Sequence, residues 1–432
     1  MKNLSTFQIV LISIFVVAAI VGVIIFAKGF GGPSSNELPE VVIWGTFPEN
    51  VMNSVIGALK QDDARFARVS YVEKDERTYD ADFVNALASG NGPDLFILSE
   101  DRIVTHRDKV ITIPFDTYSA RTFRNTFAEA GELFVTSDGI LALPFSIDPM
   151  VMYWNRDILG NKGIANPPSF WDEFFTLSPK LTERDHSSSI ARSFVAFGEY
   201  RNVDHAKDIL SAFILQTGNP IIGLSNSGQI VSTLTNRYDF VEPPALAALR
   251  FYTEFADPIK SVYSWNRALP RSKQAFVAGD LAIYMGFASE LSSLAETNPN
   301  LNFDVAAFPR ARDAERSLTL AHITGLAIPR GSRDTSAAFA VATALTEQVY
   351  SAQFSKLMGL PPIRRDLLQD IPTDIVQPVF YTSAIVAKGW LDPNPDATNG
   401  IYQRMIESTL SGRARLSEAL DTADAELNDL LR

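Results

Sequence analysis

Between positions 41 and 98, short apolar runs alternate with segments whose apolar residues recur at helical spacing. Val41–Gly45, Arg68–Glu73 and Asp94–Leu98 have the pattern of strands. Residues 48–60 can form a helix, and Tyr79, Phe83 and Leu87 mark one face of a second helix. Strand–helix–strand–helix–strand order predicts a parallel, doubly wound sheet with right-handed connections.

Ligands of such sheets bind outside the carboxyl ends of the strands. Those ends are residues 44–47 and 99–102. Thr46 and Phe47 follow the first strand, so we expect them to contact a ligand. Trp44 lies within that strand, where a tryptophan more often belongs to the core.

The stretch from position 138 to 175 contains two apolar runs, Ile140–Leu143 and Met150–Trp154. The polar residues of Ser146–Asp148 separate them. One interpretation is a loop inside one large domain. The other is a polar elbow, where the backbone leaves one core and enters a second, as at a hinge between two lobes.

The rest of the chain is mostly helical up to about residue 315. Strands are predicted at Leu281–Met285, Phe303–Phe308 and His322–Ile328, the last punctuated by Pro329. The tail from Leu416 repeats apolar residues at the spacing of an amphipathic helix. With 432 residues the chain exceeds the roughly 250–300 residues at which single cores stop growing, which favours two lobes.

Charge and composition exclude several classes of protein. The net charge of −12, without a basic run, disfavours a nucleic-acid binder. The absence of cysteine removes thiol catalysis and thiolate metal sites. His106, His186, His205 and His322 lack the spacing of a zinc site, and residues 392–396 lack the Gly and Glu of a calcium loop. We therefore predict no metal, no cofactor and no catalytic residue.

The amino terminus indicates a membrane anchor. Leu4–Ala27 is uncharged and long enough for a transmembrane helix, which needs about 20 apolar residues. A cleaved secretory signal is the alternative, but it has a shorter apolar region and a small-residue cleavage site. We predict an anchor at 1–28 and a flexible tether at 29–40, with the body on the extracytoplasmic side.

Several sequence runs resemble, in order, the extracellular solute-binding proteins of the maltose-binding type, which serve ABC importers. Their order and spacing are more specific than any single run. They are Ala-Ser-Gly-x-Gly-Pro-Asp at 88–94, Leu-Pro at 143–144, Tyr-Trp-Asn-Arg-Asp at 153–157, Pro-Pro-Ser-Phe-Trp-Asp-Glu-Phe at 167–174, Ala-Phe-x-x-Gly-Asp-x-Ala at 275–282, and Ser-Gly with Glu-Ala-Leu at 411–420.

The resemblance implies an α/β, two-lobed periplasmic-binding-protein-like (type II) fold with hinge crossovers, here preceded by a transmembrane helix. The chain would cross between lobes first at Ser146–Asp148 and again at His322–Gly325. Lobe 1 would comprise 41–147 and 324–372, and lobe 2 would comprise 148–323 and 373–432.

The resemblance also implies ligand contacts. Asp101 and Arg102 match an Asp-Arg pair that touches sugar hydroxyls in this family, although adjacent charges are often only a surface ion pair. Asp148 matches a sugar-binding acid of the family. The alternative interpretation, to which we give equal weight, is that Asp148 is a turn residue before Pro149.

Further candidates lie at positions where the family places aromatic residues against the ligand. Phe287 keeps an aromatic ring, whereas Ser289 and Asn399 replace one, which puts a maltodextrin ligand in doubt. Trp265 and Trp390 occupy loop-like surroundings, and we favour Trp265 as the cleft residue.

The resulting hypothesis is a membrane-tethered monomer that binds a small polar solute of the carbohydrate class and delivers it to an ABC permease by cleft closure. A membrane-anchored glycosidase with Asp101 and Asp148 as acid and base is one alternative. A sensory binding subunit of the same fold is another.

Overall fold

The computed structural model describes residues 37–225, 228–314 and 317–432. The predicted anchor at 1–28 and most of the tether lie outside the described residues, so the anchor stays a prediction. Within the described part of the chain, no helix combines the length and the apolar character that crossing a bilayer requires.

Twelve strands are present in the described residues. They are Val41–Gly45 (β1), Val69–Glu73 (β2), Leu95–Ser99 (β3), Ala142–Asn155 (β4), Glu183–Arg184 (β5), Ile190–Val195 (β6), Ile222–Leu224 (β7), Ile230–Ser232 (β8), Leu281–Phe287 (β9), Phe303–Ala306 (β10), Thr319–Ala327 (β11) and Ala387–Lys388 (β12).

The α-helices of the same residues, in chain order, are Glu49–Asp62 (α1), Tyr79–Ala88 (α2), Ile103–His106 (α3), Ala120–Thr126 (α4), Arg156–Gly160 (α5), Trp171–Leu181 (α6), Ala206–Gln216 (α7), Pro244–Glu254 (α8), Ser272–Ala278 (α9), Leu291–Thr297 (α10), Thr335–Leu345 (α11), Gln348–Met358 (α12), Arg365–Leu368 (α13), Gln377–Ile385 (α14), Pro395–Leu410 (α15) and Leu416–Leu430 (α16).

One large sheet has the strand order β2-β1-β3-β11-β4-β9-β6-β5. Strand β1 pairs in parallel with both β2 and β3, which confirms the parallel arrangement predicted for these strands. Four of the five residues of β3 are fully buried, as expected for a strand covered on both faces. Strand β11 then adds antiparallel to β3 and to β4.

Strand β4 corrects one sequence-based expectation. The predicted change of core at Ser146–Asp148 takes place without a bend, because β4 runs without a break from Ala142 to Asn155. Its first part pairs with β11, and from Met150 onward it pairs with β9. The polar residues therefore belong to a strand and not to a turn.

Two separate hydrophobic cores flank this crossing. We call lobe 1 the core around β1–β3, and lobe 2 the core around β9 and β6. The buried residues change core between Ile147 and Met150 and again between Leu320 and Ala321. The predicted boundaries at 147/148 and 323/324 lie close to these changes, whereas 372/373 lies in a stretch that contributes to both cores.

Gly325 is closely packed in the crossing, beside a register shift in the pairing of β11 with β4. A Cβ at Gly325 would lie 2.8 Å from Ala142 Cβ and 3.1 Å from the Leu143 carbonyl oxygen. We expect Gly325→Ala to lower the free energy of unfolding by about 1–3 kcal/mol, because an extra methyl overpacks the site. Urea unfolding measures the change.

Gly57 supplies the matched control for this substitution. It lies inside helix α1, and a Cβ there meets no atom within 4 Å. Gly57→Ala should raise the stability by about 0.5–1 kcal/mol through helix propensity. Equal responses of the two variants would contradict the tight packing at Gly325.

Candidate functional site

A cavity of about 730 Å³ lies where the two lobes meet the crossing strands. This volume is in the usual range for small-molecule sites, roughly 300–1,000 Å³. Lobe 1 contributes Thr46, Phe47, Glu76, Tyr79, Asp80, Ile97, Ser99, Glu100, Asp101 and Arg102; β4 and β11 contribute Ser146, Asp148, His322 and Thr324; lobe 2 contributes Asp204, His205, Lys273, Tyr284, Phe287, Ser289 and Glu290.

The lobe 1 wall is built by the turn Glu100–Arg102 that follows β3. The hydroxyl of Ser99 donates to Asp101 Oδ1 over 2.5 Å. The Nε of Arg102 lies 2.7 Å from Oδ2 of Asp80 on α2. Arg102 therefore pairs with Asp80 and not with its neighbour Asp101, so the expected alternative of an ion pair between adjacent residues does not hold.

The floor of the cavity carries a charge pair between a buried carboxylate, Glu100, and a partly exposed histidine, His322. The Nδ1 of His322 on β11 lies 2.7 Å from Glu100 Oε1, and the backbone N–H of Ile323 donates to Glu100 Oε2 over 2.8 Å. Burial alone would lower the pKa of His322, but the charge of Glu100 outweighs it and raises that pKa to about 10. The imidazole is therefore cationic near neutral pH.

The ring of Phe287 lies against this cation. The centroids of Phe287 and His322 are 4.2 Å apart, with an interplanar angle of 34°. Phe287 ends strand β9 and so belongs to lobe 2, whereas Glu100 belongs to lobe 1. The contact brings the two lobes together at the crossing strand, and cation–π attraction adds to it.

Asp148 lies directly opposite His322 in the pairing of β4 with β11. Its Oδ1 accepts a hydrogen bond of 3.0 Å from the backbone N–H of Ser289. Burial raises the pKa of Asp148 above its usual value. Asp148 stands within a strand, so the alternative that made it a turn residue is wrong.

The lobe 2 wall is organised by Glu290. Its carboxylate lies 2.6 Å from His205 Nε2 and 2.9 Å from Lys273 Nζ, and it accepts from the Tyr284 hydroxyl over 2.8 Å. Burial would raise the pKa of Glu290, but these partners, His205 first, lower it to about 2. The backbone N–H of Phe287 also donates to it, which fixes the end of β9.

The family model described as bacterial extracellular solute-binding protein matches residues 60–378, well over half of the chain. This protein belongs to that family of bacterial extracellular solute-binding proteins. The resemblance inferred from the sequence is thereby confirmed, and so is the α/β fold of periplasmic solute-binding proteins.

The sequence identity between this solute-binding protein and its relatives is low. A binding protein of Brucella abortus strain 2308 is 23% identical over 356 residues, which are 79% of this chain and 81% of the relative. A binding protein of Brucella suis biovar 1 gives the same values.

Three solved structures share the fold. The cyclic α-maltosyl-1,6-maltose binding protein of Arthrobacter globiformis superposes with a TM-score of 0.74 at 16% identity, covering 91% of this chain and 99% of its own. A cyclo/maltodextrin-binding protein in complex with maltotetraose gives 0.73 at 15%, covering 92% and 99%. A solute-binding protein of Thermotoga lettingae TMO bound to α-D-tagatose gives 0.64 at 20%, covering 91% and 100%.

Most residues predicted for the site of this solute-binding protein are brought together in one cavity, and two are not. Trp265 is only 1% exposed and packs in the lobe 2 core. Asn399 is exposed on α15, where it accepts a hydrogen bond from the Tyr200 hydroxyl, and it does not line the cavity. Those that line it are Thr46, Phe47, Asp101, Arg102, Asp148, Phe287 and Ser289.

Trp390, the less favoured tryptophan, lies closer to the site than Trp265. It lines a small neighbouring pocket of about 30 Å³. Glu100, Asp101 and His322 line both this pocket and the main cavity. Within the part of the chain that the structure describes, no tryptophan lines the main cavity, so its aromatic faces come from Phe and Tyr.

Sequence reasoning missed the two charge clusters. Glu100 lies in the stretch 99–102 that the strand ends indicated, but its partner His322 is far away in sequence and was predicted only as the start of the second crossing. His205, Lys273 and Glu290 carried no signal in the sequence. Within the described residues, no group of three or more His, Cys, Asp or Glu side chains could hold a metal ion.

The pair of His322 and Glu100 predicts a pH dependence of stability. The folded pKa of His322 is raised from the unfolded value near 6.5 to about 10. Its contribution is therefore full below about pH 6.5 and is lost as pH rises towards 10. We expect a loss of only roughly 1 kcal/mol, because the side chain is 43% exposed and water screens the pair.

Urea unfolding of the wild type and of His322→Gln across this pH range tests the expectation. The stability difference between the two proteins should shrink as pH rises, because only the wild type has an imidazolium to lose. Parallel profiles would show that His322 does not titrate as the geometry indicates.

Proposed function

We propose that this protein is an extracytoplasmic receptor that captures a carbohydrate in the cavity between its lobes and presents it to an ABC import permease. In this proposal residues 4–27 anchor the chain in the membrane, and the receptor acts as a monomer. The observation that carries it is the cavity itself, since both lobes and both crossing strands contribute polar side chains to it.

The chemistry of the lining supports a carbohydrate ligand. Asp101 and Asp148 offer acceptors for hydroxyl groups, and Arg102 is a directional donor. Phe47 and Phe287 supply apolar ring faces. The neighbours of similar fold are described as binding a cyclic maltosyl-maltose, maltotetraose and tagatose, which agrees with this class.

The absence of tryptophan from the described lining and the presence of Ser289 in place of an aromatic residue argue against a maltodextrin. A ligand with fewer apolar faces fits the lining better. The glycosidase alternative has no support in the comparisons, because the matching family and the neighbouring structures are described as binding proteins.

Cleft closure would draw on contacts between the lobes. Asp396 at the start of α15 lies 3.8 Å from Nη1 of Arg102, across the lobe boundary. A ligand shifts an open–closed balance only if it binds the closed form more tightly, so it must contact both lobes. Asp101 in lobe 1 and Ser289 in lobe 2 both line the cavity, so a ligand bound there has polar groups of both lobes around it.

A thermal-shift screen of the full-length protein against neutral, amine-bearing and acidic sugars tests the proposed ligand class. A ligand at a hundred times its Kd should stabilise the protein by about 2.7 kcal/mol, which is readily measured. Asp101→Asn should weaken binding by about tenfold, because it removes a charged acceptor. Asp116→Asn, an exposed change in lobe 1, is the control.

If no sugar of any class shifts the melting temperature of folded protein, the carbohydrate assignment is wrong. If a sugar shifts it equally in the wild type and Asp101→Asn, Asp101 does not contact the ligand. Product analysis of the same samples tests the glycosidase alternative, which predicts turnover.

Small-angle scattering tests the closure step. The radius of gyration should fall when the identified sugar saturates the protein, because the lobes move together. An unchanged radius at saturation would remove closure from the proposal and leave the binding site intact.

A further inference from the structure

In the interlobe cavity every cationic side chain of the described lining has an ion-pair partner, whereas several carboxylates have none. All four cationic side chains of its lining already have a carboxylate partner: Arg102 pairs with Asp80, His322 with Glu100, and both His205 and Lys273 with Glu290. Asp204 is paired as well, since Arg271 Nε lies 2.9 Å from its Oδ1. The charge of each cation in the described lining is therefore already balanced by a carboxylate of the protein.

Three carboxylates of the lining lack such a partner. Within the described residues, no Lys, Arg or His side chain lies within ion-pair distance of Glu76, Asp101 or Asp148. Asp101 accepts only from the hydroxyl of Ser99, and Asp148 only from Ser289. Glu76 is exposed at the rim, so water solvates it, but the other two lie deeper.

Asp101 and Asp148 flank the same imidazolium. Strand β11, which carries His322, lies between β3 and β4 in the sheet. Asp101 follows the end of β3, and Asp148 lies opposite His322 on β4. That imidazolium is already bound to Glu100. One positive charge thus faces three carboxylates, and the floor of the cavity has a surplus of negative charge.

A carboxylate withdrawn from bulk water is stabilised by a cation much more than by a neutral donor. Burial raises the pKa of Asp148, and the hydrogen bonds from Ser289 and the charge of His322 offset this rise only in part. An anionic ligand would meet repulsion here, whereas an ammonium group would complete the charge balance.

Resting on the carbohydrate function proposed above, we infer that the ligand is an amine-bearing sugar whose ammonium group binds between Asp101 and Asp148. Its hydroxyl groups meet the remaining polar lining. Uronic and phosphorylated sugars are excluded by the same carboxylates.

Matched sugars that differ only in one group test this inference. Isothermal titration of the full-length protein at mildly acidic pH compares glucosamine with glucose, galactosamine with galactose, and the β-1,4 disaccharide of glucosamine with cellobiose. In the pair that binds, the amine form should bind about tenfold or more tightly, as expected for a charge-assisted hydrogen bond. The advantage should shrink with added salt.

Asp148→Asn should remove this advantage, so that the amine sugar and its hydroxyl partner bind with similar affinity, because the amide oxygen keeps the bond from Ser289 but carries no charge for the ammonium group. Asp116→Asn has the same effect on net charge far from the cavity and should keep the advantage. This control separates local contact from the general attraction of cations to an acidic protein.

Equal or tighter binding of the hydroxyl partner by the wild type would overturn the amine assignment and leave a carbohydrate receptor. An advantage that persists in Asp148→Asn would also overturn the assigned contact. Failure of every sugar to bind to the folded protein would overturn both this inference and the proposed function.

Discussion

The structure depends on one strand that belongs to two hydrophobic cores. Strand β4 has 14 residues, and at about 3.3 Å per residue it spans roughly 45 Å. Its residues pair with β11 as far as Pro149, with a register shift at Phe145, and with β9 and β10 from Met150 onward. The crossing therefore needs no loop, because the pairing of β4 passes directly from β11 to β9.

The same constraint puts polar side chains at the crossing. Residues 142–147 pack into lobe 1 and residues 150–154 into lobe 2, so the positions between the cores face the space between the lobes. Asp148 on β4 and His322 on β11 occupy these positions. Charged residues can occupy these positions because each has a partner from one of the lobes. Glu100 of lobe 1 pairs with His322, and Ser289 of lobe 2 donates to Asp148.

Sequence patterns predicted the fold better than the site. Parallel strands in lobe 1 followed from apolar runs separated by helical spacing, and Thr46 and Phe47 followed from the rule that ligands lie at the carboxyl ends of strands. The change of core in β4 was predicted from polar residues between two apolar runs, but these residues continue the strand and form no bend. They interrupt the pattern here because they face a cavity.

Local sequence also misplaced Trp265, whose neighbours Ser264 and Asn266 suggested a loop near the surface. Tertiary hydrogen bonds explain its burial, since the Ser264 hydroxyl donates to the Val195 carbonyl and the Ser264 carbonyl accepts from Ser193. The pair of Glu100 and His322 was beyond local reasoning for a similar reason. Each partner becomes meaningful only when the sheet places β11 beside β3.

The preference of the cavity for a cationic ligand and the closure of the two lobes around that ligand would have the same physical origin. Asp101 is carried by lobe 1, while Asp148 is bonded to the backbone of Ser289 in lobe 2. A group held between the two carboxylates is therefore held by both lobes, and it gains its full electrostatic stabilisation only when the cavity narrows and excludes water. Affinity for the closed form then exceeds affinity for the open form, which is the condition for a ligand to drive closure. A neutral group at the same place would gain less from closure, since its hydrogen bonds to water are nearly as good.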